Sequence, residues 1–264
     1  MSILDAVKVA VFDMDGVIWA MEDPIPAAAD AIDRCRHAGV SVYFLTNNSS
    51  KTRADYVAKL SRFGIVSSAE EVVTSAHATA QWLQSDGARG KAVVVIGEEG
   101  LRCELTGIGV RLVEYSEGDR VHYVVVGWDR GLTYDKLLQA HGAIVSGGAR
   151  FIATNRDATY PLAHGRTIPG GGSIVAAVAT STGVEPITIG KPEPYTLVSI
   201  LSREQVEPER CLVIGDRLDT DIAIAKRVGA RSALVLTGVS TAEEVALLPD
   251  EQRPDYVWAD LSCL

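Results

Sequence analysis

The chain has 264 residues, of which 47% are hydrophobic and 22% charged, a composition that excludes a disordered protein and provides enough apolar residues for a buried core. Lys and Arg number 25 against 34 Asp and Glu, so the formal net charge is −9. This acidic excess argues against a nucleic-acid partner, which would favour a basic face. It does not exclude a small anionic ligand, because local charge decides such binding.

Short apolar runs rich in β-branched residues occur along the whole chain and predict β-strands. Most of them are continuous rather than alternating, which is typical of strands buried on both faces of a parallel sheet. The runs are Val7–Phe12, Val40–Leu45, Ala92–Ile96, Val121–Val126, Phe151–Ala153, Pro186–Ile189, Cys211–Ile214 and Ser232–Leu236.

Amphipathic patterns between these runs predict α-helices over Ala27–Ala38, Thr52–Phe63 and Thr220–Val228, each followed by a glycine that can close the helix. Strands that alternate with helices predict an α/β fold with a Rossmann-like, doubly wound parallel sheet. Residues 78–180 contain their own strands, helices and glycine-rich breaks. We therefore predict an inserted α/β domain there, with residues 1–77 and 181–264 forming one core domain.

Targeting and membrane signals are absent from the sequence as given. No apolar run approaches the ~18 residues that a transmembrane helix needs, and the first residues do not resemble a secretory signal. The scattered cysteines Cys35, Cys103, Cys211 and Cys263 form no CxxC pair, which is typical of buried, reduced thiols. We expect a cytoplasmic protein without a membrane partner.

Acidic residues follow two of the predicted strands, at the sheet edge where open α/β sheets bind ligands. Asp13 and Asp15 come directly after the first strand. Asp216 and Asp221 follow the strand that ends at Ile214. Such carboxylates can hold a divalent cation or act as nucleophile and proton carrier. Taken alone, each motif is also compatible with a solvated acidic turn or a helix cap.

Two further strand ends carry polar groups. Thr46, Asn47 and Asn48 offer hydroxyl, amide and backbone N–H donors before a helix, a pattern typical of anion sites and of ordinary helix caps. Lys191 follows the run that ends at Ile189 and can neutralise a phosphate and a carboxylate together, although a surface lysine is the alternative. Chance assembly of these four strand ends in this order is improbable.

The four motifs together resemble those of the haloacid dehalogenase-like phosphatases. Asp13-Met14-Asp15-Gly16-Val17 is similar to the family's D-x-D-G-[TV] loop, and Thr46 and Lys191 match its Ser/Thr and lysine motifs. Gly215-Asp216 through Asp221 is similar to its G-D-x-x-x-T-D motif. The resemblance is greatest to the NagD-like subfamily with a type IIA cap, which holds para-nitrophenyl, phosphoglycolate and pyridoxal phosphate phosphatases.

The resemblance implies a Mg²⁺-dependent phosphomonoester hydrolase that acts on a small phosphorylated metabolite. Asp13 would attack phosphorus and form an aspartyl-phosphate, and Asp15 would act as general acid and then as general base. Mg²⁺ would be held by the carboxylates of Asp13 and Asp216 and by the backbone carbonyl of Asp15. Asp221 would complete the metal site through a metal-bound water.

The same resemblance implies that Thr46, with the N–H groups of Asn47 and Asn48, would hold the phosphoryl oxygens. Lys191 would stabilise the developing charge and position the nucleophile. The resemblance also implies that the insert, residues 78–180, is a cap that covers the site and excludes water.

Within this cap, the loop Asn155–Pro161 would face the leaving group of the substrate. Tyr160, the residue before a proline, would help to select the substrate, with ordinary packing inside the cap as the alternative. Relatives with this cap often dimerise through it, so the resemblance also implies a homodimer.

Other functions stay open at this point. A dehalogenase of the same superfamily needs neither a metal nor a second acid, so Asp15 and Asp216 argue against it. A phosphotransferase or phosphomutase keeps the four motifs but normally carries a helical cap after the first of them, and the segment from Asp13 to Thr46 is too short for one. A non-enzymatic module that binds a phosphorylated ligand would be expected to have lost Asp13 or Asp15.

Overall fold

The computed structural model describes residues 3–162 and 166–264 and divides the chain into two compact units. The first unit comprises the residues up to Thr46, Tyr56–Val73 and Lys191–Leu264, and the second comprises Asn47–Asp55 and Thr74–Gly190. Each unit has its own parallel sheet and its own hydrophobic core.

The strands within the described residues form two large sheets and two short hairpins. In chain order they are β1 (Val9–Phe12), β2 (Trp19–Ala20), β3 (Asp23–Pro24), β4 (Ser41–Thr46), β5 (Val72–Thr74), β6 (Ala92–Ile96), β7 (Arg111–Leu112), β8 (Tyr123–Val126), β9 (Arg150–Ala153), β10 (Thr159–Pro161), β11 (Thr167–Pro169), β12 (Ile187–Thr188), β13 (Cys211–Gly215), β14 (Arg231–Val235) and β15 (Tyr256–Trp258).

The α-helices of the same residues are α1 (Ile3–Ala6), α2 (Ala28–His37), α3 (Arg53–Arg62), α4 (Ser75–Ser85), α5 (Glu99–Gly107), α6 (Tyr134–Val145), α7 (Gly171–Thr182), α8 (Tyr195–Glu204), α9 (Ala223–Val228) and α10 (Ala242–Leu247). Short 3₁₀ turns lie at Pro208–Arg210, Asp250–Gln252 and Leu261–Cys263, and a π-helical turn, Leu218–Ile222, precedes α9. Across residues 3–162 and 166–264, none of the helices combines the length and the apolar character that crossing a bilayer requires.

The first unit is built on a six-stranded sheet with the order β15-β14-β13-β1-β4-β5. β1 pairs in parallel with β13 and β4, so Phe12 lies beside Ile214 on one side and Phe44 on the other. Every residue of β1 and β13 is buried, as expected of central strands covered on both faces. The predicted parallel α/β sheet is confirmed, and the carboxyl ends of these strands meet at one edge.

The hydrophobic core of the first unit contains the side chains of Phe12 and Phe44 together with one face of α2. Ile32 and Cys35 lie on that face and are fully buried, in keeping with the helical period. Truncating Ile32 to Ala would cost about 2–5 kcal/mol of folding free energy. This packing fixes the strands whose ends carry the polar motifs.

The second unit has a five-stranded sheet with the order β12-β9-β8-β6-β7, and its pairings are parallel. Val124 of β8 lies between Val94 and Phe151 of the neighbouring strands. These side chains form a separate core with Val175 of α7. A second α/β unit with its own core agrees with the predicted fold class.

One predicted core strand pairs in the other sheet. The run Pro186–Ile189 is predicted to belong to the core domain, but β12 pairs with β9 in the second unit. β12 has only two residues, one exposed and one half-buried, and so short a run carries no pattern that selects one sheet over another. Lys191 nevertheless belongs to the first unit, because the chain passes between the units after Gly190.

The other differences from the predicted elements include the hairpin strands β2, β3, β10 and β11, two edge strands and the start of one helix. β5 and β15 form the two edges of the six-stranded sheet and are absent from the predicted strands, because three residues are too few to show a period. The helix predicted over Thr220–Val228 starts instead as the wide turn Leu218–Ile222. Gly229, at φ 82°, ends it as predicted.

All four cysteines are free thiols. Cys35 and Cys211 are buried as predicted, but Cys103 and Cys263 are exposed. Cys103 lies on the outer side of α5, where its thiol donates to Glu99 (3.1 Å). The prediction of burial was wrong for these two residues, because the outer face of an amphipathic helix and the outer side of a short 3₁₀ turn expose the residue that lies there.

Candidate active site

The carboxylates of Asp13, Asp216 and Asp221 converge at the carboxyl edge of the first unit's sheet. Asp13 follows β1, and its N–H donates to the carbonyl of Ile214 in β13 (2.8 Å). Asp216 follows β13, and Asp221 lies in the wide turn Leu218–Ile222. One oxygen from each of the three side chains lies within 4.8 Å of the others, and all three residues are buried.

Lys191 connects two of these carboxylates to the neighbouring strand. Its Nζ donates to Oδ1 of Asp13, to Oδ1 of Asp221 (2.6 Å) and to the carbonyl of Leu45 in β4 (3.2 Å). Burial alone would lower the pKa of Lys191, but the charges of Asp13 and Asp221 raise it above its ordinary value. The ammonium group therefore stays charged at neutral pH.

The cluster holds three buried carboxyl groups for one ammonium group, so its net charge is negative when all three are ionised. Burial and the charge of Asp221 raise the pKa of Asp216 to about 7. Burial also raises the pKa of Asp13 well above its ordinary value, although Lys191 opposes this. Buried, hard oxygen donors at this spacing fit a divalent cation, which would supply the missing positive charge.

Asp15 lies two residues beyond Asp13 in a tight turn. The N–H of Trp19 donates to the carbonyl of Met14 (3.2 Å), and the N–H of Gly16 donates to the carbonyl of Trp19 (2.7 Å). The closed turn brings the indole of Trp19 to the acid, and Nε1 donates to Oδ1 of Asp15 (3.0 Å). Trp19 is absent from the predicted site residues, because only the geometry of the turn shows this contact.

The predicted phosphate-binding residues lie where β4 ends. Thr46, its last residue, is 4% exposed and belongs to the first unit. Asn47 and Asn48 begin the second unit. The side-chain oxygen of Asn48 accepts hydrogen bonds from the N–H of Ser50 (2.9 Å) and from its hydroxyl (2.7 Å), which fixes the backbone of this segment.

Asn155 contacts this segment within the second unit. Its Nδ2 donates to the carbonyl of Asn47 (2.7 Å), and Nδ2 of Asn47 donates to Oδ1 of Asp157 (2.9 Å). The structure thus brings two predicted site residues, Asn47 and Asn155, into direct contact. Asp157 is a further member of the network that the sequence motifs did not single out as a site residue.

Comparison with known proteins relates the chain to one family. A sequence profile of haloacid dehalogenase-like hydrolases matches residues 10–111, and a profile of HAD-hydrolase-like proteins matches residues 188–264. Chronophin of Mus musculus is 38% identical over 259 residues, which cover 95% of this chain and 88% of chronophin. The chain belongs to the haloacid dehalogenase-like hydrolases.

Solved structures place the chain among the phosphatases of this family. The p-nitrophenyl phosphatase from Archaeoglobus fulgidus has a TM-score of 0.88 and 33% identity, with 97% of each chain covered. The glycerol phosphate phosphatase from Mycobacterium tuberculosis, in complex with magnesium, has a TM-score of 0.90 and 35% identity, with 100% of this chain and 78% of that chain covered. The predicted identity as a haloacid dehalogenase-like phosphatase is confirmed.

Three glycines pack against the carboxylates of this phosphatase. A Cβ on Gly16, whose φ is +84°, would lie 2.5 Å from Oδ2 of Asp216. A Cβ on Gly215 would lie 2.1 Å from the Cβ of Asp221, and one on Gly238 would lie 2.0 Å from Oδ2 of Asp216. The first two glycines belong to the predicted motifs, whereas Gly238 does not.

The loop after β14 is a part of the phosphatase site that the motifs miss. The N–H of Val239 donates to Oδ2 of Asp216 (2.8 Å), and the N–H of Ser240 donates to the backbone carbonyl of Asp216 (2.9 Å). The hydroxyl of Thr237 donates to the carbonyl of Gly16 (2.6 Å). Since β14 neighbours β13, the rule that ligands bind beyond the carboxyl ends of strands would have found this loop.

Tyr160 lies in β10 of the second unit and is half-buried. Its ring centroid is 4.7 Å from that of Trp128, whose Nε1 donates to the carbonyl of Pro169 (3.1 Å). The guanidinium of Arg130 lies over the indole of Trp128, 5.2 Å from the ring centroid. Tyr160 is thus part of a packed aromatic cluster, and its role in substrate selection stays a proposal.

Proposed function

We propose that the protein is a Mg²⁺-dependent phosphomonoester hydrolase that acts on small phosphorylated metabolites through an aspartyl-phosphate on Asp13. The observation that carries the proposal is the convergence of Asp13, Asp216 and Asp221 around the charged Nζ of Lys191. Phosphoryl transfer to a carboxylate needs such a cluster, because a nucleophile, a metal and a fixed positive charge must meet at one point.

The carboxylates of Asp13, Asp216 and Asp221 and the backbone carbonyl of Asp15 are the groups that would hold Mg²⁺. They are hard oxygen donors, and when the three carboxyl groups are ionised their negative charge exceeds the positive charge of Lys191. When bound, the ion supplies positive charge against the repulsion between a carboxylate and a phosphate, which is about 4 kcal/mol for unit charges 4 Å apart at an effective dielectric constant of 20.

The chain's own residues carry the two chemical steps. A carboxylate oxygen of Asp13 attacks phosphorus, the ester P–O bond breaks, and Asp15 gives its proton to the leaving alkoxide. Asp15 then takes a proton from water, whose oxygen attacks phosphorus and releases inorganic phosphate and the Asp13 carboxylate. Lys191 holds Asp13 in position by its hydrogen bond during both steps.

The remaining predicted residues bind the substrate in this proposal. The hydroxyl of Thr46 and the N–H groups of Asn47 and Asn48 hold the phosphoryl oxygens. The second unit, which contains residues 78–180, acts as the cap, the first unit acts as the catalytic core, and the Asn155 loop with Tyr160 selects the leaving group. The packed ring cluster around Tyr160 supports a fixed recognition surface.

The proposal is tested by phosphate release from p-nitrophenyl phosphate with and without Mg²⁺. We expect release only with the ion, and Asp13→Asn should reduce it at least about a thousandfold, because the amide is no nucleophile. Asp219→Asn is the matched control, since Asp219 lies in the same segment with 68% of its side chain exposed and should leave activity unchanged. Turnover without metal, or an active Asp13→Asn variant, would reject the mechanism.

Homodimerisation through the cap and a cytoplasmic location belong to the same proposal. Tyr134, Leu138 and Val145 are exposed apolar side chains of α6, spaced so that they share one side of that helix. This stripe supports dimer formation through the second unit. Sedimentation equilibrium of Leu138→Glu against the unchanged protein tests it, and a monomeric unchanged protein would reject it.

A further inference from the structure

The hydrogen bond between Trp19 and Asp15 gives Trp19 a function beyond packing. We propose that Trp19 is a positioning residue, which holds the carboxyl group of Asp15 in the orientation needed to protonate the leaving group. The inference rests on the proposed function, in which Asp15 is the general acid. It concerns an aromatic residue outside the four sequence motifs.

The contact satisfies the hydrogen-bonding need of a buried indole N–H. Trp19 is 1% exposed, and its indole N–H is a donor that must find an acceptor inside the protein. Oδ1 of Asp15 accepts that hydrogen bond at 3.0 Å. Because Oδ1 faces the indole, the transferable proton of Asp15 is carried by Oδ2. A general acid works only when its proton points at the leaving oxygen, so fixing one carboxyl oxygen orients the other.

Trp19 is itself held from several sides. Its indole stacks on the ring of Tyr56 (6.4 Å between centroids, 12° between planes) and contacts Phe63 (5.9 Å). The Nζ of Lys59 lies 4.5 Å from the indole centroid, and it donates to the carbonyl of Met21 (2.5 Å). A cation over the face of an indole polarises the ring and strengthens its N–H as a donor.

The chain geometry leaves the indole little freedom to turn away. Trp19 is the first residue of the β2–β3 hairpin, and its backbone N–H and carbonyl are both bonded within the turn that contains Asp15. A rigid donor on a rigid turn is what a positioning role requires, since a loosely held group would not define the direction of the proton.

The variant Trp19→Phe tests the proposal, because it keeps an aromatic ring at this position while it removes the indole N–H, together with the rest of the five-membered ring. The measurement is kcat/KM, which covers the steps up to departure of the leaving group, for p-nitrophenyl phosphate and phenyl phosphate. p-Nitrophenolate leaves without protonation, whereas phenolate is a poorer leaving group that needs the acid. We expect a loss of about 10–100-fold for phenyl phosphate and of less than about threefold for p-nitrophenyl phosphate.

Trp258→Phe is the matched control in the same unit. Trp258 lies in β15 and packs against Tyr256, and the substitution should change neither kcat/KM value by more than about twofold. Equal losses on both substrates in Trp19→Phe would show that Trp19 acts only through packing, and the proposal would be wrong. No loss on either substrate would reject it as well.

A spectroscopic measurement keeps the test independent of activity. The indole ¹H–¹⁵N resonance of Trp19 should move upfield in Asp15→Ala, because the hydrogen bond to Oδ1 is lost, and should stay in place in Asp219→Ala. An unmoved resonance in Asp15→Ala would overturn the contact itself. Failure of the proposed function would be seen separately, as phosphate release that is independent of Mg²⁺ or of Asp13.

Discussion

Gly238 lies directly against the carboxylate of Asp216, so closely that a Cβ at this position would be 2.0 Å from Oδ2 and 2.5 Å from Cγ. The next residue, Val239, donates its N–H to the same Oδ2 (2.8 Å). Since Asp216 is buried and follows the central strand β13, neither its backbone nor its side chain can easily give way. The loop after β14 therefore sets the direction of one of the proposed metal ligands.

We expect Gly238→Ala to weaken Mg²⁺ binding and to destabilise the fold. The added methyl group must displace the carboxylate of Asp216. This displacement should lower the affinity for the ion by about 10–100-fold and the free energy of unfolding by about 1–3 kcal/mol. Titration calorimetry with Mg²⁺ and urea denaturation measure the two effects.

Gly107→Ala is the matched control for this variant. Gly107 is the last residue of α5, and a Cβ there would meet no atom within 4 Å. Because Ala is the better helix former, stability should be unchanged or slightly increased, with no effect on Mg²⁺ affinity. An unchanged Mg²⁺ affinity in Gly238→Ala would contradict the role assigned to the loop.

Lys191→Met should damage both stability and activity. It leaves Asp13 and Asp221 buried without their ammonium partner, and breaking a buried ion pair from one side costs about 3–5 kcal/mol. Phosphate release should fall at least about a hundredfold, because the charge that holds the nucleophile is lost. Urea denaturation and p-nitrophenyl phosphate turnover check the two effects.

Lys226→Met serves as the comparison for a surface ion pair. Lys226 donates to Asp255 (2.7 Å), and the two side chains are 27% and 41% exposed. Such a pair contributes less than about 1 kcal/mol, so the variant should keep its stability within that range and its full activity. Equal destabilisation by the two substitutions would show that the buried cluster is not held by Lys191.

The sequence predicts the central strands of the first sheet because their apolar runs are long enough to distinguish a buried strand from other structures. β1 and β13 are continuous apolar runs, and parallel pairing then brings the residues that follow them to one sheet edge. The meeting of Asp13 with Asp216 follows from this rule alone. The short strand β12 shows the limit of prediction from sequence patterns, since two residues cannot indicate which of two sheets they join.

Other features of the site depend on three-dimensional contacts that no local pattern encodes. Asp221 reaches Lys191 because the chain forms a wide turn before α9, and spacing alone predicts an ordinary helix there. Trp19 contacts Asp15 because the turn between them closes on the carbonyl of Met14. In both cases backbone geometry, rather than residue type, determines which groups meet.

Tyr160→Ala should change the order of preferred substrates more than it changes turnover of p-nitrophenyl phosphate. In the proposed function its ring contacts the leaving group, and removing the ring also takes away the partner that packs against Trp128 at 4.7 Å. The phosphoryl-binding residues are unaffected, so the chemistry itself should persist. A panel of phosphorylated metabolites, with kcat/KM measured for each, gives the ranking.

Val184→Ala is the control for this substitution in the same unit. Val184 is 41% exposed and lies outside the α6 stripe, so its truncation should leave the ranking unchanged. If Tyr160→Ala also leaves it unchanged, the specificity element must lie elsewhere in the protein.

Glu104 gives the second unit a stability that depends on pH. It accepts hydrogen bonds from Nε of Arg53 (2.7 Å) and Nδ1 of His77 (2.9 Å). Burial alone would raise the pKa of Glu104, but these two partners hold it below its ordinary value of 4.5. Because the pKa of Glu104 is lower in the folded than in the unfolded state, its ionised carboxylate stabilises the fold at pH values above the unfolded-state pKa. This stabilisation is lost as the pH falls through the folded-state pKa.

Glu104→Gln should therefore be destabilising by about 1–2 kcal/mol at neutral pH, with a difference from the unchanged protein that shrinks as the pH falls below about 5. Urea denaturation at a series of pH values measures the difference. Glu251→Gln, which alters an exposed carboxylate, should show no such dependence. A deficit of Glu104→Gln that grows toward low pH would mean that the carboxyl group is stabilised in its protonated form. The ion pair with Arg53 and the hydrogen bond with His77 would then not be what holds it.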